Sequence, residues 1–148
     1  MADKTTSSIV IGVPRKDVMA VIADFEAYPE WATGIRNAEV LSLTDGRAST
    51  VRFTLDAGVI KDSYVLDYDW DEDARVRWHL AEAGSVISEM TGGYELAEHG
   101  DDTEVTYDLA VGIRVPMPGM LKRRAEKTII NTALKGLKSR AETIGSSR

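Results

Sequence analysis

Between Ile35 and Arg114 apolar and polar residues alternate with a period of two, and turn chemistry interrupts the alternation at intervals. Asp45-Gly46 is a strong two-residue hairpin signal, and the stretches DAGVI, DWDEDA, AEAGS and EHGDDT supply further reversals. The pattern predicts six strands, near 35–43, 48–56, 60–70, 74–81, 86–97 and 103–114. Their connections are so short that successive strands must run antiparallel. From Pro118 to about residue 144 the period becomes helical, with Leu121, Ala125, Ile129, Ile130, Ala133, Leu134, Leu137, Ala141 and Ile144 on one broad apolar stripe. Such a stripe has to be covered, and the apolar face of the sheet is the partner available.

The stretch before residue 35 adds a strand and a helix. SSIVIGV sets Ile9 and Ile11 against Val10 and Gly12, Pro14 can open a helix, and Val18, Val21, Ile22 and Phe25 recur at helical spacing through RKDVMAVIADF. Pro29 is expected to end the helical tendency and to push Tyr28 out of the helical region. The predicted architecture is α+β, one domain over residues 1–148, with a curved antiparallel sheet wrapped around a long C-terminal helix. Gly92 and Gly93, inside EMTGGYEL, read as a bulge that bends the longest strand.

Composition removes several classes of function. Without cysteine there is no disulfide framework, thiolate nucleophile or zinc-thiolate site. A formal charge of −6 argues against a general nucleic-acid binder. The charge is unevenly placed, with net +6 from Lys122 to Arg148 against −12 before it. The longest apolar run is too short to span a bilayer and MADKTTSS contains no apolar signal segment, so a cytoplasmic protein without stable membrane insertion is expected.

Reading one face of each strand gives Val51, Phe53 and Leu55; Ile60, Asp62, Tyr64, Leu66 and Tyr68; Val76, Trp78 and Leu80; Val86, Ser88, Met90 and Tyr94; and Val105, Tyr107, Leu109 and Val111. The other face carries Arg52, Arg77, His79, Glu89, Glu95, Asp108 and similar residues, and is the solvated one. Asp62, Tyr64, Ser88 and Tyr107 are the polar exceptions on the inner face. A lone buried carboxylate is expensive, so Asp62 is expected at an open rim, beside a basic group, or against a ligand. His79 falls on the solvated face and His99 in a turn, which leaves no Ser-His-Asp set, metal-ligand spacing or phosphate loop. No metal or cofactor is expected.

VMAVIADFEAYPEWATGIRNAEVL, through Val18, Ile22, Asp24, Tyr28, Pro29, Trp31 and Val40, resembles the polyketide cyclase/dehydrase and lipid-transport family of the START-like (SRPBCC) helix-grip superfamily. The order of elements extends the resemblance over almost the whole chain. It implies a deep apolar cavity between the sheet and the terminal helix, in which members bind lipids, quinones, hormones or polyketides. Tyr28 and Trp31 would then cap one end of the core. The expected ligand-binding residues are Trp31, Phe53, Asp62, Tyr64, Trp78, Met90 and Tyr107. Lys122, Arg123 and Arg124, at the start of the terminal helix, are candidates for holding an anion at the cavity mouth, with VPMPG as a hinge beside it.

Three functions stand side by side: a noncatalytic carrier or sensor of a small hydrophobic molecule, a polyketide cyclase or dehydrase, and a helper module that binds a protein partner. The first is preferred. A cyclase would need pocket tyrosine, arginine or carboxylate groups, and Arg52 and Arg77 are read as pointing outward.

Overall fold

The computed structural model describes residues 4–32, 34–56, 61–114 and 118–146. Strand β1 (Thr5–Ile11) leads into helix α1 (Arg15–Ala23), a 3-10 turn over Phe25–Ala27 and the short helix α2 (Tyr28–Trp31). Strands β2 (Ile35–Thr44), β3 (Arg47–Asp56), β4 (Lys61–Asp71), β5 (Arg75–Glu82), β6 (Ile87–His99) and β7 (Asp102–Ile113) follow, and helix α3 (Gly119–Ser146) is the last described element. All seven strands form one antiparallel sheet in the order β1-β7-β6-β5-β4-β3-β2. The six-strand meander is as expected, and β1 closes it by pairing with β7. Ile60, assigned to the inner face from sequence, and Val115 to Met117 of the expected hinge lie outside the described residues.

The first helix ends earlier than Pro29, and for a different reason. Asp24 leaves the helical region at φ −88° and ψ 76°. Pro29 instead sits in the first turn of α2, where its missing N–H has no intrahelical acceptor to lose. Tyr28 keeps helical angles, φ −52° and ψ −41°, against the usual bias before proline. Packing overrides that bias: its buried hydroxyl donates to the Ile22 carbonyl, and its ring lies 4.9 Å from Phe25 and 4.8 Å from Trp31.

Helix α3 is fastened along β1 by polar contacts at matched spacings. Thr5 Oγ1 donates to Glu126 Oε1 at 2.9 Å, Lys138 Nζ to the Val10 carbonyl at 2.9 Å, and Gly12 N–H to Glu142 Oε2 at 2.7 Å. Seven residues of strand from Thr5 to Gly12 and sixteen of helix from Glu126 to Glu142 each cover roughly 23–24 Å, so the two elements stay in step. Glu126 is a buried carboxylate that the helical stripe did not announce. Its second oxygen accepts the Val111 N–H at 2.9 Å, which also ties α3 to β7. Ala125, Ile130, Leu134, Leu137 and Ala141 are buried as the stripe requires, but Leu121 is exposed, so the covered stripe begins one turn later than expected.

Three strand details depart from simple alternation. In β6 a register shift between Ile87 and Glu89 puts Ile87, rather than Val86 or Ser88, fully inside. Gly92 and Gly93 are no bulge, because both pair in unbroken register with β5 and β7. Asp108, expected on the solvated face, is buried, because Gly93 has no side chain and the Arg77 guanidinium crosses it to meet Asp108 at 2.6 Å. A Cβ at position 93 would lie 2.7 Å from that guanidinium.

Candidate functional site

Every aromatic residue of the chain, ten in all, belongs to one connected set of ring contacts. It begins at Trp31 on α2, passes through Tyr28, Phe25 and Phe53, and reaches Tyr68, Trp78, Tyr94 and Tyr107 on the inner face of the sheet. Helix α3 packs chiefly on β1, and next on β7 and α1. The space between α3 and strands β3 to β5 is therefore filled mainly by these rings.

The rings leave a cavity of about 70 Å³ between them. Its wall includes Trp31 and Ala32, Phe53, Leu55, Tyr64, Trp78, Met90 and Tyr107, with Ile129 and Ala133 of α3 closing the far side. Such a volume holds a few water molecules, well under the ~300 Å³ of a small-molecule site. A multi-ring guest would have to displace side chains. No charged residue lines this cavity among the described residues.

Of the residues expected to touch a ligand, the structure brings Trp31, Phe53, Tyr64, Trp78, Met90 and Tyr107 together on this wall. Asp62 is not there. Its Oδ1 accepts the Ser85 N–H at 2.9 Å, and its Oδ2 accepts those of Val86 and Ile87 at 2.9 and 2.7 Å, which caps the loop from β5 to β6. Partial burial raises the Asp62 pKa, but backbone N–H donors at Ile87, Val86, Ser85 and Ser63 outweigh it and hold the carboxyl below its ordinary value. Gly84 is needed for this cap, since a Cβ there would fall 2.1 Å from Asp62 Oδ2. Ser88 is likewise displaced, to an outer cleft beside His79 and Glu89. Lys122, Arg123 and Arg124 are absent from the cavity wall, and Lys122 Nζ donates to the Val111 carbonyl at 3.1 Å.

The tyrosines are held neutral. Burial is the main cause that raises the pKa of Tyr28, Tyr64, Tyr68, Tyr94 and Tyr107 alike, with smaller contributions from neighbouring phenols and carboxylates. At neutral pH they are hydrogen-bond donors and cannot serve as bases. Sequence reasoning missed a more specific feature. The indole nitrogens of Trp31 and Trp78 are buried without a hydrogen-bond partner, and both belong to the cavity wall. An unmade buried donor costs about 1–3 kcal/mol, so two on one small cavity are notable. No pattern in the sequence distinguishes them from Trp70, whose Nε1 donates to the Ala48 carbonyl at 2.8 Å.

Residues 11–138 match the family described as polyketide cyclase / dehydrase and lipid transport. The chain belongs to that family. Among solved structures, a START superfamily protein from Mycobacterium smegmatis superposes with a TM-score of 0.87 at 21% identity, covering 95% of this chain and 98% of its own. The Zhui aromatase/cyclase from Streptomyces sp. R1128 gives 0.81 at 15% identity, with 96% of this chain and 94% of its own covered. A protein from Thermus thermophilus gives 0.81 at 21% identity, over 96% of this chain and 99% of its own. These likenesses establish the START-like helix-grip fold. No curated protein matches the chain in sequence. No helix among the described residues is long and apolar enough to cross a membrane.

Proposed function

We propose that this member of the family binds a small hydrophobic molecule between α3 and the inner face of the sheet. The observation that carries the reading is the aromatic cavity itself, lined by rings and aliphatic side chains with no charge on its wall among the described residues. Apolar walls with a few placed donors are the usual makeup of a small-molecule site. The small free volume adds a condition: binding requires rings to move apart, and the strain of doing so lowers affinity for bulky guests.

The reading stops at binding because cyclisation or dehydration of a polyketide needs a group that removes a proton. The wall supplies neutral tyrosines and indoles, which can donate to a carbonyl oxygen but cannot take a proton from carbon. The experiment is a tryptophan-fluorescence titration with fatty acids, quinones, sterols and aromatic polyketides, run beside Ala133→Phe, which plugs the α3 side of the cavity. A saturable change in the wild type that disappears in the folded variant is expected. Absence of saturation with every compound would overturn the reading.

A further inference from the structure

We infer that the start of α3 docks the protein on an anionic lipid surface, with Met120 and Leu121 entering the interface and Arg123, Arg124 and Lys127 meeting the headgroups. The contact is separate from the cavity, which Ile129 and Ala133 line from another side of the same helix.

Among the described residues Met120 is the most exposed large hydrophobic side chain, at 75%, and Leu121 beside it is 45% exposed. A single exposed hydrophobic residue is ordinary, so the surroundings of this pair decide what it means. At about 100° per residue around the helix, Arg123, Arg124 and Lys127 fall within roughly 60° of Met120. All three are exposed. No acid of the helix offsets them, because Glu126 is buried against Thr5 and Val111 and the next carboxylate on α3 is Glu142, sixteen residues further along. The outer side of these first turns carries apolar tips and positive charge together. Cations at a helix N-terminus oppose the helix dipole, so the stability of α3 gives no reason for them. An anionic partner does.

Met120 and Leu121 decide which anionic partner fits. A nucleic-acid backbone would accept the cations but leave the apolar pair in water, and a formal charge of −6 on the chain opposes a long polyanion. A bilayer offers phosphate at its headgroups and hydrocarbon just beneath them. The distribution of charge also sets the approach, since net +6 from Lys122 to Arg148 against −12 before it turns the α3 side toward an anionic surface. No helix among the described residues can cross a bilayer, so the attachment is interfacial rather than by a spanning helix.

The test is flotation of the full chain with vesicles of phosphatidylcholine alone and with vesicles that also contain phosphatidylglycerol, at low and at high salt. Binding is expected to the anionic vesicles and not to the neutral ones, and it should weaken as salt screens the cations. Arg124→Gln and Lys127→Gln should each weaken it about fivefold, the contribution of one cation at a membrane surface. Met120→Ser should weaken it about fivefold or more, by taking an apolar side chain out of the interface. Lys16→Gln is the control, an exposed cation on α1, which follows the contact of Gly12 with Glu142 at the opposite end of α3, and no change is expected there. All the substituted side chains are exposed, so the variants should keep the circular dichroism of the wild type. Equal binding to both kinds of vesicle, no binding to either, anionic binding indifferent to Met120→Ser, or a loss in Lys16→Gln as large as in Arg124→Gln would overturn the inference. Duplex DNA is the last arm: DNA binding that Arg124→Gln abolishes and Met120→Ser spares, without flotation on anionic vesicles, would assign the patch to nucleic acid and overturn the membrane contact.

Discussion

The indole of Trp78 lies over Gly92, its register partner on the next strand, so closely that a Cβ there would sit 2.9 Å from Cζ2 and 3.0 Å from Cε2 of the ring. The same Cβ would stand 2.6 Å from the Asp108 carbonyl oxygen, which belongs to backbone and cannot swing away. Gly92→Ala is therefore expected to destabilise the fold by about 1–3 kcal/mol, as overpacked cores do, and to displace the Trp78 ring. Denaturant unfolding with the Trp78 indole signal as reporter checks both effects. Gly119→Ala is the contrast, because a Cβ at that position meets nothing within 4 Å, and no loss of stability is expected.

The five tyrosines of the chain predict an unusual alkaline titration. Each has its pKa raised, chiefly by burial, so the folded protein holds these protons more tightly than the unfolded chain does. Their contribution to stability is full below the unfolded tyrosine value of ~10 and falls as pH rises above it, by about 1.4 kcal/mol per pH unit for each tyrosine. Ultraviolet absorbance should show almost no tyrosinate in the folded protein just above that pH. It should then rise in a single step together with the loss of circular dichroism. Gradual ionisation of one or two tyrosines ahead of unfolding would contradict the burial assigned to them.

At the acid end the sign reverses. Asp62 has a lowered pKa, so its cap on the loop from β5 to β6 contributes stability above the unfolded aspartate value of ~3.9 and loses it as pH falls through the folded value. Asp62→Ala should cost about 1–3 kcal/mol at neutral pH, since it leaves the Ser85, Val86 and Ile87 N–H groups without their acceptor. The same variant should flatten the acid limb of the stability curve. Chemical denaturation across acidic pH, wild type against variant, would show an unchanged difference if the carboxylate were not the cause.

The sequence made the scaffold readable where side-chain period and backbone pairing agree. Val51, Phe53 and Leu55 alternate cleanly and are all buried, and Asp45-Gly46 forms the turn between β2 and β3 with positive φ at both residues, 54° and 84°. The period gave the wrong residue at Ile87, because a register shift of one position turns the neighbouring side chains over. Alternation places Asp108 and Arg77 on a wet surface, and their pairing depends on a glycine lying between them on a third strand, a relation visible only once the strands are in register. Glu126 reads as an ordinary charged helix position until Thr5 and Val111 arrive from distant parts of the chain. The aromatic wall was legible from alternation, but the two unpaired indoles were not. Whether a donor finds an acceptor is decided in three dimensions, and local sequence around Trp70 and Trp78 carries no difference that predicts it.

Met90 stands between two spaces. Pairing of β5 with β6 runs from Arg75–Glu95 to His79–Thr91 and goes no further, although β5 continues to Glu82 and β6 starts at Ile87. The strands part there, and a cleft of about 370 Å³ opens beside His79, Leu80, Ser88 and Glu89. Met90 lines this cleft as well as the inner cavity. Its flexible, unbranched side chain can vacate the gap at low energy. Met90→Ala should join the two spaces, lower stability by about 2–4 kcal/mol through the cavity it leaves, and speed the association of a bound aromatic probe. Met90→Leu keeps the volume and should leave stability within about 1.5 kcal/mol of the wild type. Stopped-flow measurement of probe binding separates the outcomes. Faster association in Met90→Ala alone identifies the parting of β5 and β6 as a route into the cavity, whereas unchanged rates in both variants place the entrance elsewhere, away from Met90.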